Sequence, residues 1–293
     1  MAFSVKLRRQ LTNSSIRSIS EESVEYYTLV EVQNRLLKVY EEDNTIFEAS
    51  DVKKIVESFA YLRRFAQRQD GNAEKTFEMV KNTLIWRKEM KTPLIKDDII
   101  PLEFYDLGAA FIHGIDLDGN VILNVRAKYA ILNDKVRNAI ERWLAFTMFK
   151  VVEMSMHSGK GWTLLADLTG ISVTQYDLPE ILWVLKVVVN YMPAGIKSVI
   201  VYNLPWFAKP FVKIVMAFIP REWKKLIHFV GHKELLKLIP KDFIPGYIEN
   251  PNMQFCAPVP PDAKPLSDID LMYLNTDRDD LINFMHNILA KVK

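Results

Sequence analysis

Cysteine is nearly absent from this 293-residue chain: Cys256 stands alone. A single thiol builds no intrachain disulfide framework, and such sparing use fits a reducing compartment. Long hydrophobic runs are missing as well. The longest uncharged apolar-rich stretch, residues 198–208, falls far short of the ~20 residues a membrane-crossing helix needs. Membrane contact is therefore expected to be peripheral and the location cytoplasmic. Neither sign of charge is in excess: 38 Lys and Arg against 36 Asp and Glu give a formal net charge of +2, which by itself selects no partner. The opening MAFSVKLRRQLTNSS is basic but lacks an apolar core, so it does not read as a secretory signal; its Arg and Ser leave a transit peptide open.

Signatures of catalysis are absent too. No GxSxG, Walker A, GxGxxG, HExxH or zinc-ligand spacing occurs. His228 and His232 fall on a strand and at a helix start, so no metal site is expected. The motif Asp116-Leu-Asp-Gly-Asn120 looks calcium-like, but lacks the earlier ligands and closing Glu of an EF-hand loop; it reads as a hairpin turn. Asp167 follows a strand, where an acid catalyst could stand. No nucleophile or second acid pairs with it, so it reads as a loop anchor that accepts backbone N–H bonds. No catalytic residue, no enzyme activity and no cofactor are expected.

What is present is organised around residues 163–207. A short apolar run, Thr163 to Ala166, is closed by Asp167, and a β-branched run, Ser198 to Tyr202, is closed by Asn203. Both lack alternation, as strands covered on two faces do. Between them Asp177, Pro179 and Glu180 open a helix and Pro193 and Gly195 close it. Strand, helix and strand of this length imply a right-handed parallel crossover. The resulting class is α/β, a mostly parallel sheet flanked by helices.

Residues 1–19 carry Lys6, Arg8, Arg9 and Arg17 without an acid and read as a basic flexible arm. Residues 20–104 form an α-helical lobe: a helix from Ser20 to about Glu42, a second from Ser50 with Val52, Ile55, Val56, Phe59, Leu62 and Phe65 at helical spacing, and a third from Asn72. A second lobe spans residues 105–256. It starts with strands at 109–113 and 121–125 and continues with a helix capped at Asn133-Asp134. Residues 251–265 are proline-rich, and the body of the fold is expected to end there. Residues 257–293 then supply a linker and a final amphipathic helix. Its stripe of Leu281, Phe284, Met285, Ile288 and Leu289 needs a seat on this chain or on a protein partner.

One segment has little charge for a surface helix. In WFAKPFVKIVMAFI, Phe207, Phe211, Ile214 and Phe218 fall on one side at 100° per residue, with Lys209 and Lys213 opposite and Val212 and Met216 toward the lysines. Such a helix is sealed by another surface, or touches lipid on one side and a cavity on the other. Residues 205–241 hold eight basic residues against two acidic. Lys209, Lys213, Arg221 and Lys224 next to this helix suit an anionic membrane surface; a solvated basic face is the alternative. Nucleic acid is not expected, because the aromatics lie in apolar runs.

The order of these pieces resembles the CRAL-TRIO lipid-binding family. The residues that carry the resemblance are YLRRFAQRQDGNAEKTFEMVKNTLIWRKE (residues 61–89), Asp116-Leu-Asp-Gly-Asn-Val, Asp167-Leu-Thr-Gly-Ile-Ser172, Asn203-Leu-Pro-Trp206 and Leu235-Leu-Lys-Leu-Ile-Pro240. Their combination covers roughly residues 50–250 and looks most like the CRAL-TRIO part of motile-sperm-domain-containing proteins. The resemblance implies an apolar cavity for one lipid, enclosed by the sheet and its helices. It makes residues 207–219 a mobile gate helix, and the function binding and transfer of one lipid at membrane surfaces. Phosphatidylinositol-handling members carry a Glu-Arg pair where Ala194 and Gly195 stand here, while a lysine is kept as Lys225. Members that grip phosphatidylcholine use small hydroxyl residues where Trp162 and Leu164 stand. A more apolar or differently headed ligand is thus open beside an inositol phospholipid. The expected lipid-binding residues are Trp162, Leu164, Phe207, Phe211, Ile214, Phe218 and Lys225. The competing reading is a lipid-sensing recruitment or scaffold module without transfer activity.

Overall fold

The structure, a computed structural model, describes residues 13–129, 133–172, 177–250 and 258–292. It divides into two compact units, residues 1–85 and 86–293. Lys6, Arg8 and Arg9 of the expected basic arm, and Cys256, lie outside the described residues.

The first unit is helical: α1 (Asn13–Glu42), α2 (Ala49–Glu57), α3 (Phe59–Arg68) and most of α4 (Ala73–Glu89). Helix α1 begins ahead of Ser20, inside the stretch expected to be an arm. The stripe from Val52 to Phe65 suggests one helix, and the structure makes two. Ser58 sits in extended backbone, and its hydroxyl accepts the Ala60 N–H at 3.1 Å. A serine that caps the next turn competes with the helix it would interrupt. The break leaves Ile55, Leu62 and Phe65 buried but turns Val56 outward. Asn72 opens α4 by accepting the Lys75 N–H at 2.9 Å.

The second unit contains one five-stranded sheet in the order β1 (Ala110–Ile115), β2 (Val121–Arg126), β3 (Trp162–Asp167), β4 (Ile196–Tyr202), β5 (Ile227–Val230). The β1–β2 pair is an antiparallel hairpin and the other pairs are parallel. Asp116 is the centre of the hairpin turn. It accepts the N–H groups of Asp118 at 3.0 Å and Asn120 at 2.8 Å, the Asn120 side-chain amide, and the Thr163 hydroxyl at 2.6 Å. Its carboxylate is saturated by protein donors, which is how a short polar loop is fixed.

Helices α6 (Arg137–His157), α7 (Leu178–Asn190) and α8 (Lys209–Phe218) follow β2, β3 and β4 in turn. Every parallel crossover steps the same way along the sheet, so right-handed connections put all three on one face. The other face is covered by the segment after β5, which includes α9 (His232–Leu235) and α10 (Gly246–Glu249). Its Leu235, Ile239 and Ile244 pack on Ile122, Leu165 and Ile200.

The chain from Leu266 onward belongs to the body of this unit, contrary to the expectation that the fold ends at the prolines. Leu266, Ile269, Leu271 and Leu274 are buried in the same core as Ile100 and Phe104, the latter on α5 (Leu102–Leu107). The final helix, α11 (Arg278–Val292), seats Leu281, Phe284, Met285 and Ile288 in that core with Val136 and Trp143. The stripe that could have served a protein partner thus has its seat on this chain. Arg278 locks the segment by donating to the carbonyls of Leu266 and Ser267, both at 2.7 Å. Proline removes backbone donors but not the apolar side chains around it, so a proline-rich stretch still packs. Leu281→Ala is expected to lower stability by about 2–5 kcal/mol, read from denaturant unfolding. A change within about 0.5 kcal/mol, the size expected of surface positions, would mean that the helix is an appendage.

Candidate functional site

Side-chain alternation gives the sheet two unlike faces. Parallel register places Leu164 beside Leu123 and Val199, and Ala166 beside Val125 and Val201. Ile227 and Phe229 continue the rows on β5. These residues face the helices. Leu123 is buried under α6, but Leu164, Ala166, Val199, Val201 and Ile227 are only partly covered and Phe229 is 47% exposed. On the opposite face Leu165 and Ile200 are fully buried. The same strands are therefore sealed below and open above.

The helix layer explains the difference. Helix α6 packs closely on β1, β2 and β3, α7 joins the same core along one side, and α7 and α8 pack on each other. One side of α7 meets the core through Trp183, Val184, Val187 and Tyr191. Tyr191 stacks on Trp86, with ring centroids 4.7 Å apart. The other side, Ile181, Leu182, Leu185 and Val189, stays partly uncovered. A helix apolar all round suits a buried site, yet only Val187 among its apolar residues is buried. The apolar side chains of α7, of α8 and of the floor of β3–β5 are thus left partly open to solvent.

Helix α8 is preceded by a 3-10 turn, Trp206–Ala208, and contains no buried residue. Phe207, Phe211, Val212, Val215 and Met216 lie on its half-covered side. Ile214 (48% exposed), Phe218 (58%) and Trp206 (80%) face outward, with Lys209 and Lys213. The structure thus rotates the division expected from sequence. Val212 and Met216 turn inward, and Ile214 and Phe218 join the lysines. The half-covered side is centred on Val215, between Phe211 and Ile219.

The remaining expected positions fall into separate places. Trp162 is 2% exposed and belongs to the closed core under α6, whereas Leu164 lies on the open floor. Arg221, Lys224 and Lys225 are exposed on the 3-10 turn Arg221–Leu226 before β5. The basic stretch of residues 205–241 is split by the sheet. Its first five basic residues are on α8 and that turn, and Lys233, Lys237 and Lys241 are on the segment covering the other face. All eight are exposed, and none pairs with an acid among the described residues.

Asp167 accepts the Thr169 N–H at 2.8 Å, the loop-anchoring role read from sequence. It stands in register between Arg126 and Tyr202, and the Arg126 guanidinium lies 4.1 Å from the centroid of the Tyr247 ring. Burial, reinforced by the Asp167 charge, pushes the Tyr247 hydroxyl well above the usual phenol range.

Sequence reasoning missed a polar group where α6 and α7 begin, at the C-terminal ends of the strands. Arg137 reaches Glu180 at 3.1 Å, Asp177 at 3.0 Å and Asp134 at 3.3 Å. Asp177 caps α7 by accepting the Glu180 N–H at 2.9 Å, but the Glu180 carboxylate turns to Arg137 instead of completing a capping box. Burial first, then the charge of Glu141, pushes the Glu180 carboxyl up to about 7. The unfolded value lies near ~4.3, so the proton is held more tightly in the folded state. Stability from this group is full in acid and is lost as pH rises through about 7. Glu180→Gln is expected to flatten that alkaline decline. Allowing for solvent screening, the change is roughly 1 kcal/mol, or about 2–4 °C in Tm; melting curves between pH 5.5 and 8.5 read it directly. Parallel decline in both proteins would rule out Glu180 as its source.

Comparison with known proteins agrees with this architecture. The model of the CRAL/TRIO domain matches residues 105–249. A CRAL-TRIO domain-containing protein of Schizosaccharomyces pombe is 23% identical over 204 residues, covering 65% of this chain and 45% of that protein. Patellin-4 of Arabidopsis thaliana is 27% identical over 200 residues, covering 63% of this chain and 36% of the relative. The chain thus spans less than half the length of these curated relatives. Among solved structures, the crystal structure of Sfh5 superposes with a TM-score of 0.56 over 71% of this chain and 80% of that one, at 12% identity; the likeness is one of fold. Residues 105–249, which match the CRAL/TRIO domain model, contain the whole five-stranded sheet and the helices that flank it.

Proposed function

We propose that this protein is a lipid carrier. It takes one lipid into the hollow between β3–β5 and the helices α7 and α8, and exchanges it at an anionic membrane surface when α8 moves aside. The observation that carries the reading is the open apolar floor, Leu164, Ala166, Val199, Val201, Ile227 and Phe229, beneath a helix with no buried residue. Leaving that much apolar surface partly wet forgoes about 25 cal/mol for each Å², and an apolar ligand recovers it. Leu164, Phe207 and Phe211 then touch the lipid. Ile214, Phe218 and Trp206 enter the membrane interface, with Lys209, Lys213, Arg221, Lys224 and Lys225 against anionic headgroups. Trp162 supports the floor from the core. The protein works in the cytoplasm, peripheral to membranes, with lipid as its only non-protein partner besides the bilayer, and within the family its motifs favour the motile-sperm-domain-containing branch.

Carrier chemistry needs no bond cleavage, and the family of the CRAL/TRIO domain is one of lipid binding and transfer. Transfer of a fluorescent lipid between donor and acceptor vesicles is the test. Transfer that scales with protein concentration supports the carrier. Vesicle binding without transfer would favour a recruitment module that senses lipid.

A further inference from the structure

Strand β5 is the last of the sheet, and among the described residues it pairs with β4 alone. Every second residue of such a strand aims its backbone N–H and C=O away from the sheet. Val230 faces inward, since its carbonyl accepts the Asn203 N–H at 3.0 Å. By alternation His228 also faces β4, and Ile227 and Phe229 face outward. The two ends of this outer edge are closed. The Ile227 N–H donates to the Lys224 carbonyl, and the Gly231 N–H donates to the Glu234 carboxylate at 3.2 Å. Between them the Phe229 N–H and the Phe229 and Ile227 carbonyls meet no partner among the described residues. The Phe229 side chain beside them is 47% exposed.

Both ends of the edge are basic. Lys224 and Lys225 precede β5, His232 and Lys233 follow it, and all four are exposed. Residues 221–237 hold five Lys and Arg against two Glu, and one of the two, Glu234, is engaged by Gly231. Lysine beside an edge strand guards it against pairing with its own copy. Here the guard works in either orientation. With Phe229 opposite Phe229 in an antiparallel pair, Lys225 of one copy meets Lys233 of the other; in a parallel pair each lysine meets itself. Like charges opposed across strands repel. An extended segment with acidic ends meets no such penalty, and its centre finds one donor, two acceptors and an aromatic ring. We propose that the outer edge of β5 is a docking site for an extended, acidic-ended segment of a protein partner, which adds to the sheet as a further strand. The site does not depend on the carrier reading, with which it shares only Lys224 and Lys225.

The test uses the full chain and two pools of short peptides with the same β-branched and aromatic centres, one pool ending in Asp and Glu and the other in Lys and Arg. The acidic-ended pool is expected to bind about tenfold tighter or more than the basic-ended one. Binding should also slow hydrogen exchange of the Phe229 amide, which is open to solvent in the protein alone. Phe229→Pro removes the outward N–H and spares the bonds of His228 and Val230 to β4, a change that edge strands tolerate. It is expected to weaken the acidic pool about tenfold with an unchanged melting curve. Lys225→Glu with Lys233→Glu leaves the strand itself untouched and should have the same effect. No preference for acidic ends would overturn the proposal. So would binding that leaves the Phe229 amide unprotected, since that is adhesion of charges alone. Protection of this amide by phosphatidylserine vesicles but not by the peptides would overturn it in favour of the membrane.

Discussion

The double substitution Ile214→Asp, Phe218→Asp is expected to abolish binding to phosphatidylserine-containing vesicles while leaving the fold intact. Both side chains stand on the outer side of α8, 48% and 58% exposed, beside Lys213. Full burial of such a side chain is worth about 1.5–3 kcal/mol. Each starts half-covered, so roughly 1 kcal/mol is lost at each position. Each new carboxylate adds repulsion from the anionic surface of about 1 kcal/mol. Together these reach about 4 kcal/mol, close to a thousandfold in affinity. Since neither residue contributes to the core, stability should stay within about 0.5 kcal/mol of the parent. Co-sedimentation with vesicles and a thermal melt read the two quantities separately. Unchanged sedimentation would remove α8 as the membrane element, and binding lost together with the fold would remove the argument from exposure. Lys209→Glu with Lys213→Glu should act in the same direction but fade in high salt, because exposed charges are screened within ~8 Å at physiological ionic strength.

Those two positions also mark what the sequence could and could not convey. The strands at 163–166 and 198–202, the Asp177 cap and the hairpin at Asp116 were legible because each depends on local chemistry: β-branched runs, a side-chain acceptor, an Asp and Gly in a tight turn. The class of the sheet followed from crossover length. The facing of α8 was not legible. Periodicity finds an apolar stripe but does not say which stripe is covered when apolar residues occur all round a helix, so it groups Ile214 and Phe218 with Phe207 and Phe211 although both are exposed. Phe211, the natural choice for a membrane-binding variant from sequence, lies on the half-covered side, where a charge would disturb the hollow as well. The floor residues Val199, Val201 and Phe229 were readable as strand residues but not as a site, since their shared face emerges only from parallel register. Arg137 and Glu180 are 43 positions apart, and no local pattern links them. The seat of α11 is not legible because a proline-rich stretch resembles a linker, whereas its leucines pack against Phe104 and Trp143.

Ala166→Phe is expected to block lipid uptake without destabilising the protein, and the second half of that outcome is the more telling. Ala166 is the smallest residue of the floor, between Val125 and Val201 in the register of three strands, and it is only partly covered. A phenyl group there projects into the space assigned to the ligand. Adding a large side chain to a close-packed interior costs about 1–3 kcal/mol through forced rotamers and backbone shifts. Adding it to an open hollow avoids that strain and covers apolar floor, so stability should hold or rise. The neighbouring Leu165 supplies the contrast. It points to the opposite face, is fully buried, and packs against Ile200 and the segment after β5. Leu165→Trp should therefore lower stability by about 1–3 kcal/mol. Lipid adducts in native mass spectrometry and denaturant midpoints together separate the cases. An intact hollow predicts loss of the adduct with an unchanged or higher midpoint for Ala166→Phe, and the reverse order of stability for Leu165→Trp. Equal destabilisation by both would show that the floor is as tightly packed as the face beneath it, leaving no room for a ligand.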